Sequence, residues 1–192
     1  MREINGLLAG VPFDLVTIAD RPSVAAPRET GATFAENARA KALYYAAATG
    51  ELTVAEDSGL EIDALGGAPG VESARYGGVH ITYPDKFALI YDALRAQGLT
   101  TSAARFVCAL ALVKGRDLLF ETRGIVEGTI APAPRGAGGF GYDPIFYYPP
   151  YRMTLAEAGE RKAAVSHRGE AFRALRAFLE SQESLAGRGP SC

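Results

Sequence analysis

The residues with the clearest capacity for chemistry are two adjacent carboxylates, Glu56 and Asp57, followed by Ser58 and Gly59. Residues 52–55 ahead of them read as a short strand, and ligands of α/β sheets commonly bind at strand ends. Paired carboxylates beside a hydroxyl suit a hard cation that shares a phosphate ligand. Magnesium takes one or two carboxylates plus substrate oxygens and keeps several waters. The same text also reads as an ordinary turn, because Asp-Ser-Gly is common turn chemistry.

Three other segments carry possible chemistry. Residues 136–144 (GAGGFGYDP) form a glycine-rich stretch whose backbone N–H groups can approach a phosphate or a base edge. Phe140 and Tyr142 add flat faces for stacking; a flexible hairpin with no ligand fits the same text. Lys162 and Ser166-His167-Arg168 lie at a predicted helix start, a plausible anion site. There, a structural histidine and a solvated arginine are the plainer alternatives. Glu29 precedes a helix that carries Glu36 and Lys41; Glu36 reads as a cap and Lys41, taken alone, as a solvated helix lysine.

These residues need elements to hold them. Residues 13–19 (FDLVTIA) alternate apolar and polar and predict a strand, followed by a loop punctuated by Pro22 and Pro27. Residues 33–49 predict a helix with Thr33 and Glu36 as a capping box and Gly50 as its stop. A second strand-like run covers 60–65, then a glycine-proline loop at 66–70. Residues 84–97 predict an amphipathic helix, and 105–114 with 118–129 predict a hairpin turning at Gly115-Arg116-Asp117. An irregular loop is expected over 131–150, and a last helix from Ser166 to about Ser181. Helices interleaved with strands place the chain in the α/β or α+β class.

Composition bounds the function classes. The chain has 192 residues, 48% of them apolar, enough for one substantial domain or two lobes sharing a core. A formal charge of −2 offers no electrostatic reason to expect a nucleic-acid backbone as partner. No apolar run approaches the roughly 20 residues of a membrane span, and no signal-peptide pattern opens the chain. Cys108 and Cys192 lack metal-ligand spacing and are not expected to pair, so the expectation is a soluble, cytoplasmic protein.

Taken together and in order, ETGATFAENARAKA, AEDSGLEIDALGGAPGVESARYGG, GAGGFGYDPIF and KAAVSHRGEAFRAL resemble the inosine triphosphate pyrophosphatase family, the non-canonical purine nucleoside triphosphate pyrophosphatases. The resemblance runs from about Arg2 to Leu179. It implies an elongated two-lobed α/β fold around a mixed, twisted sheet, with the nucleotide in a central cleft, over residues 1–182. Residues 183–192 are expected to be a flexible tail. It further implies a homodimer and Mg²⁺-dependent hydrolysis of ITP, dITP or XTP to the monophosphate and pyrophosphate, which cleanses the nucleotide pool. By position, Asp57 is implied as catalytic base and metal ligand, with Glu29 and Glu56 near the metal. Lys41 is implied to face the phosphates and Ser58 to contact substrate. Phe140, Gly141, Tyr142 and Asp143 are implied to pack around base and sugar, and Lys162, His167 and Arg168 to surround the base.

One departure accompanies the resemblance. The family's first apolar strand and its Ser/Thr-x-Asn-x-x-Lys loop, which holds the triphosphate, are not matched; residues 1–8 resemble the helix after that loop. A start assigned downstream of the true one is favoured over a real truncation, and the chain as given is expected to turn over ITP more slowly than an extended one. The competing expectations are a Maf-like pyrophosphatase of modified or pyrimidine triphosphates, a nucleotide-binding protein of low activity, and a purely structural domain.

Overall fold

Two compact units divide the chain: residues 1–57, 109–124 and 168–192 form one, and 58–108 with 125–167 the other. The computed structural model describes residues 2–21 and 24–186. Pro22 and residues 187–192, Cys192 included, lie outside the described residues.

Among the described residues, the first unit rests on three α-helices. A short α1 (Arg2–Leu7) opens it. The alanine-rich α2 (Phe34–Thr49) forms because alanine has the highest helix propensity, and it buries Ala38, Ala42 and Ala46, a row at i, i+4 spacing. Thr33 Oγ1 accepts the Glu36 N–H at 3.2 Å, and Glu36 reaches back to the Ala32 N–H at 2.7 Å, one residue beyond the usual capping-box partner. The last helix among the described residues buries Ala171, Phe172, Leu175 and Leu179. Full burial of each large side chain there is worth about 1.5–3 kcal/mol. Phe178 of that helix stacks on Phe120, with ring centroids 4.6 Å apart.

The second unit packs α3 (Tyr83–Ala96) through Phe87, Ile90 and Leu94 onto Leu60, Ile62, Phe106, Ile130 and Phe146. A reciprocal Thr82–Asp85 capping box starts α3. A short helix, α4 (Lys162–Val165), precedes α5 (His167–Ala186).

Five strands, β1 (Thr53–Ile62), β2 (Ala103–Lys114), β3 (Asp117–Ile130), β4 (Phe146–Tyr148) and β5 (Met153–Thr154), lie in sequence order across one sheet. β3 pairs antiparallel with β4 and β4 with β5, with Thr129 opposite Tyr147 and Tyr148 opposite Met153. The mixed helix-and-strand class expected from the sequence holds. β2 is buried continuously from Phe106 to Val113, as its unbroken apolar text requires of a strand covered on both faces.

Four expectations need correction. Residues 13–19 are not a strand. Phe13, Leu15, Val16 and Ile18 are exposed, and the segment ends in a turn of 3-10 helix at Ile18–Asp20. There Asp20 accepts both the Thr17 N–H and hydroxyl, a local alternative to a ladder. The runs at 52–55 and 60–65 join in one strand, Thr53–Ile62, through Glu56-Asp57-Ser58-Gly59, and Asp63–Leu65 is a turn of 3-10 helix; they are not two strands around a turn. The loop expected over 131–150 contains β4. The last helix runs to Ala186, so residues 183–186 are helical rather than tail. No helix among the described residues is long and apolar enough to cross a membrane.

Candidate active site

The first unit gathers one polar cluster against β1. On α2, Asn37 and Lys41 are four residues apart and therefore share a face. Lys41 Nζ donates to Glu29 Oε1 at 2.7 Å and to Asp57 Oδ1 at 2.8 Å. Asn37 Nδ2 donates to the other Asp57 oxygen at 3.1 Å, while its own Oδ1 accepts the Gly31 N–H at 2.7 Å. Both oxygens of Asp57 are thus fixed. Gly31 has to be glycine, because an added Cβ would stand 2.7 Å from Asn37 Oδ1.

Burial sets the electrostatics of the cluster. It raises the Asp57 carboxyl; Lys41 and Asn37 pull it back, Glu29 adds to the rise, and the net is above the ordinary carboxylate value. For Lys41, burial works to lower the ammonium, but hydrogen bonds and charge from Asp57 and Glu29 outweigh it, and the net is upward. The ammonium is held firmly as a cation, and Asp57 is the member poised to exchange a proton.

Glu56 also pairs with a cation of its own. Successive strand side chains point to opposite faces, and Glu56 accepts from Arg168 Nε at 2.7 Å. Ser58 follows on β1, half-buried.

The donor set fits a hard divalent cation. Two carboxylates already converge on one positive charge, the Lys41 ammonium. Among the described residues no group of three or more His, Cys, Asp or Glu side chains stands ready for a metal. Two carboxylates are a number that a hard divalent cation commonly takes from a protein, with waters and phosphate oxygens completing its shell.

The second unit holds the other implied residues. Asp143 is buried, and its Oδ2 accepts the Phe140 N–H at 2.6 Å and the Lys162 ammonium. Gly139 permits this: its φ is +76°, and a Cβ would meet Asp143 Oδ2 at 2.1 Å. The Tyr142 hydroxyl donates to the Ser73 carbonyl at 2.8 Å, and burial pushes its phenol well above the ordinary range. Phe140, by contrast, is 77% exposed, its ring edge-on to Tyr83 at 5.6 Å between centroids. Gly141 lies beside the same Tyr83, whose hydroxyl would be 3.5 Å from an added Cβ. The His167 ring stacks on Phe106 at 5.0 Å and 11°.

The structure therefore brings Glu29, Lys41 and Asp57 together, ties Glu56 to Arg168, and ties Lys162 to Asp143 beside Phe140. Sequence reasoning missed Asn37 and Tyr83. The i, i+4 spacing of Asn37 and Lys41 was a usable signal, as was an aromatic residue just before Pro84 at a helix start.

Comparison with known proteins adds an independent line. The Ham1 family model matches residues 1–178. A dITP/XTP pyrophosphatase of Exiguobacterium sp. is 46% identical over 180 residues, covering 93% of this chain and 91% of its own. A dITP/XTP pyrophosphatase of Thermus thermophilus is 48% identical over 176 residues, covering 91% of this chain and 84% of its own. Among solved structures, a HAM1 protein from Coxiella burnetii superimposes with a TM-score of 0.88 at 39% identity, covering 94% of this chain and 92% of that one.

Proposed function

The chain belongs to the Ham1 family, and from that premise we propose that it hydrolyses non-canonical purine nucleoside triphosphates, ITP, dITP and XTP, to the monophosphate and pyrophosphate. The observation that carries the reading is the Lys41 ammonium held between the Glu29 and Asp57 carboxylates. A triphosphate with its cation needs positive charge and oxygen ligands side by side, and this cluster holds both.

The residues divide the work. Asp57, buried and with a raised carboxyl, takes the proton from the attacking water. The water oxygen bonds to the α-phosphorus as the bond to the bridging α–β oxygen breaks, and pyrophosphate leaves. Lys41 faces the phosphates, and Asn37 keeps Asp57 oriented. Glu29 and Asp57, with Glu56 nearby in sequence, would hold Mg²⁺, our choice of divalent cation. When bound, it neutralises charge on the phosphates.

Recognition of the base falls to the second cluster. Phe140 stacks, with Gly141, Tyr142 and Asp143 shaping the loop around base and sugar and Ser58 contacting substrate. Lys162, His167 and Arg168 supply donors for the 6-oxo group. Adenine places an amino donor at that position and would leave those donors unpaired, a mismatch that discriminates far better than shape. A homodimer in the cytoplasm, with no nucleic acid or membrane as partner, completes the proposal. The test is pyrophosphate release in Mg²⁺ from ITP, XTP, ATP, GTP, dUTP and dTTP. Preference for ITP and XTP is expected; preference for pyrimidines would favour the Maf-like alternative.

A further inference from the structure

Lys86 is the residue of the second unit that the proposed reaction leaves unexplained. It lies on the first turn of α3, is only 3% exposed, and among the described residues forms no ion pair with a carboxylate. A buried cation without a counter-charge is costly unless its donors and its field are used. Both are used here. The ammonium donates to the Ala74 carbonyl and stands 4.8 Å from the centroid of the Tyr83 ring.

What Lys86 touches leads to the exposed Phe140. The Tyr83 ring meets Phe140 edge-on at 5.6 Å and Tyr142 at 5.3 Å. The carbonyl next to Ala74, that of Ser73, accepts the Tyr142 hydroxyl at 2.8 Å. The Ser73 hydroxyl in turn donates to Gly70 and accepts from Leu60 N–H of β1. The loop at residues 70–76, the start of α3 and the loop at 139–143 are thereby tied at one place. Phe140 is largely solvated and leans on Tyr83, so the orientation of its ring follows that of Tyr83.

We infer that Lys86 is a positioning residue for base recognition: by fixing the Tyr83 ring and the Ala74 carbonyl it holds Phe140 in the attitude that stacks on a purine. This deepens the proposed function and rests on its assignment of Phe140 to the base. A cation–π contact of this kind, once desolvated, corresponds to roughly a threefold to thirtyfold change in affinity. The effect belongs to the base end of the substrate and not to its phosphates.

The experiment measures direct binding of ITP and of inorganic tripolyphosphate, which has no base, to the wild-type chain and to Lys86→Met, Lys86→Arg, Tyr83→Leu and Tyr83→Phe. Lys86→Met and Tyr83→Leu are each expected to weaken ITP roughly threefold to thirtyfold while tripolyphosphate binding is unchanged. Lys86→Arg and Tyr83→Phe keep a cation and a ring, and should restore most of the ITP affinity. Unchanged ITP affinity in folded Lys86→Met, or an equal loss for tripolyphosphate, overturns the inference. If Lys86→Met does not fold, the Tyr83 pair decides: equal affinity for Tyr83→Leu and Tyr83→Phe overturns it. Because binding is read without turnover, absence of pyrophosphate release by the wild-type chain would count against the proposed function separately.

Discussion

Lys41 and Asp57 are joined by a 2.8 Å ammonium–carboxylate contact, and both titrate above their ordinary values. The ammonium is stabilised by two carboxylates, whereas burial leaves the Asp57 carboxylate short of full compensation. That asymmetry is suited to a group that must accept a proton and meet a cation, and it has measurable consequences.

Asp57→Asn removes the proton acceptor and is expected to lower kcat by about 10²- to 10⁴-fold. Its effect on stability runs with pH in a defined direction. A carboxyl whose folded pKa is raised favours folding in its protonated form, so the wild type gains stability as pH falls from neutral through that folded pKa. The carboxamide that replaces it does not titrate. Chemical denaturation without divalent cations should therefore find the stability difference, wild type minus Asp57→Asn, growing in favour of the wild type between pH 7 and about 4. A difference that moves the other way would mean Asp57 is held below its ordinary value.

Lys41→Met leaves Glu29 and Asp57 facing one another without the charge between them. Their side chains are 28% and 10% exposed, so solvent screens the repulsion only in part. A loss of about 1–3 kcal/mol is expected, below the 3–5 kcal/mol of a fully buried broken pair. Mg²⁺ should raise the Tm of Lys41→Met more than that of the wild type, because a cation can take the vacated place. Equal Tm gains would argue that the two carboxylates do not share the metal.

Asn37→Ala strips Asp57 of a hydrogen bond that lowers its carboxyl and leaves the Gly31 N–H without its acceptor. The cost is roughly 1–3 kcal/mol. The acid limb of kcat/KM should move to higher pH, since a larger share of Asp57 is then protonated at any given pH. A limb that stays in place while stability falls would reduce Asn37 to a packing role.

Much of this architecture was legible in the sequence. Helix α2 announced both ends through Thr33 and Gly50, and β2 through its continuous apolar text. Other elements were not legible for physical reasons. At Glu56-Asp57-Ser58-Gly59 turn-forming residues sit inside β1, because the strand is held by its neighbour in the sheet rather than by local propensity. β4 and β5 span three and two residues, too few for a period to register. Residues 13–19 have strand periodicity, yet Thr17 and Asp20 satisfy the backbone locally and the apolar side chains remain exposed. In the site, Asp57 and Lys41 were assigned from resemblance, while the partnership of Asn37 with Asp57 emerged only once α2 lay against β1.

Asp143→Asn tests the second cluster. The buried carboxylate anchors the Phe140 N–H and the Lys162 ammonium, so its loss should loosen the loop while leaving the Lys41–Asp57 pair intact. The ratio of kcat/KM for ITP to that for ATP is expected to fall by about tenfold or more. A fall in kcat alone, with the ratio unchanged, would remove Asp143 from base recognition.

The most direct test of the central claim is product analysis of ITP turnover in Mg²⁺, run in parallel on the wild-type chain and on Asp57→Asn. IMP and pyrophosphate are expected in equal amounts, with ATP turned over far more slowly and both products lost in Asp57→Asn. Orthophosphate with IDP as the products, or Asp57→Asn turning over ITP at the wild-type rate, would contradict it.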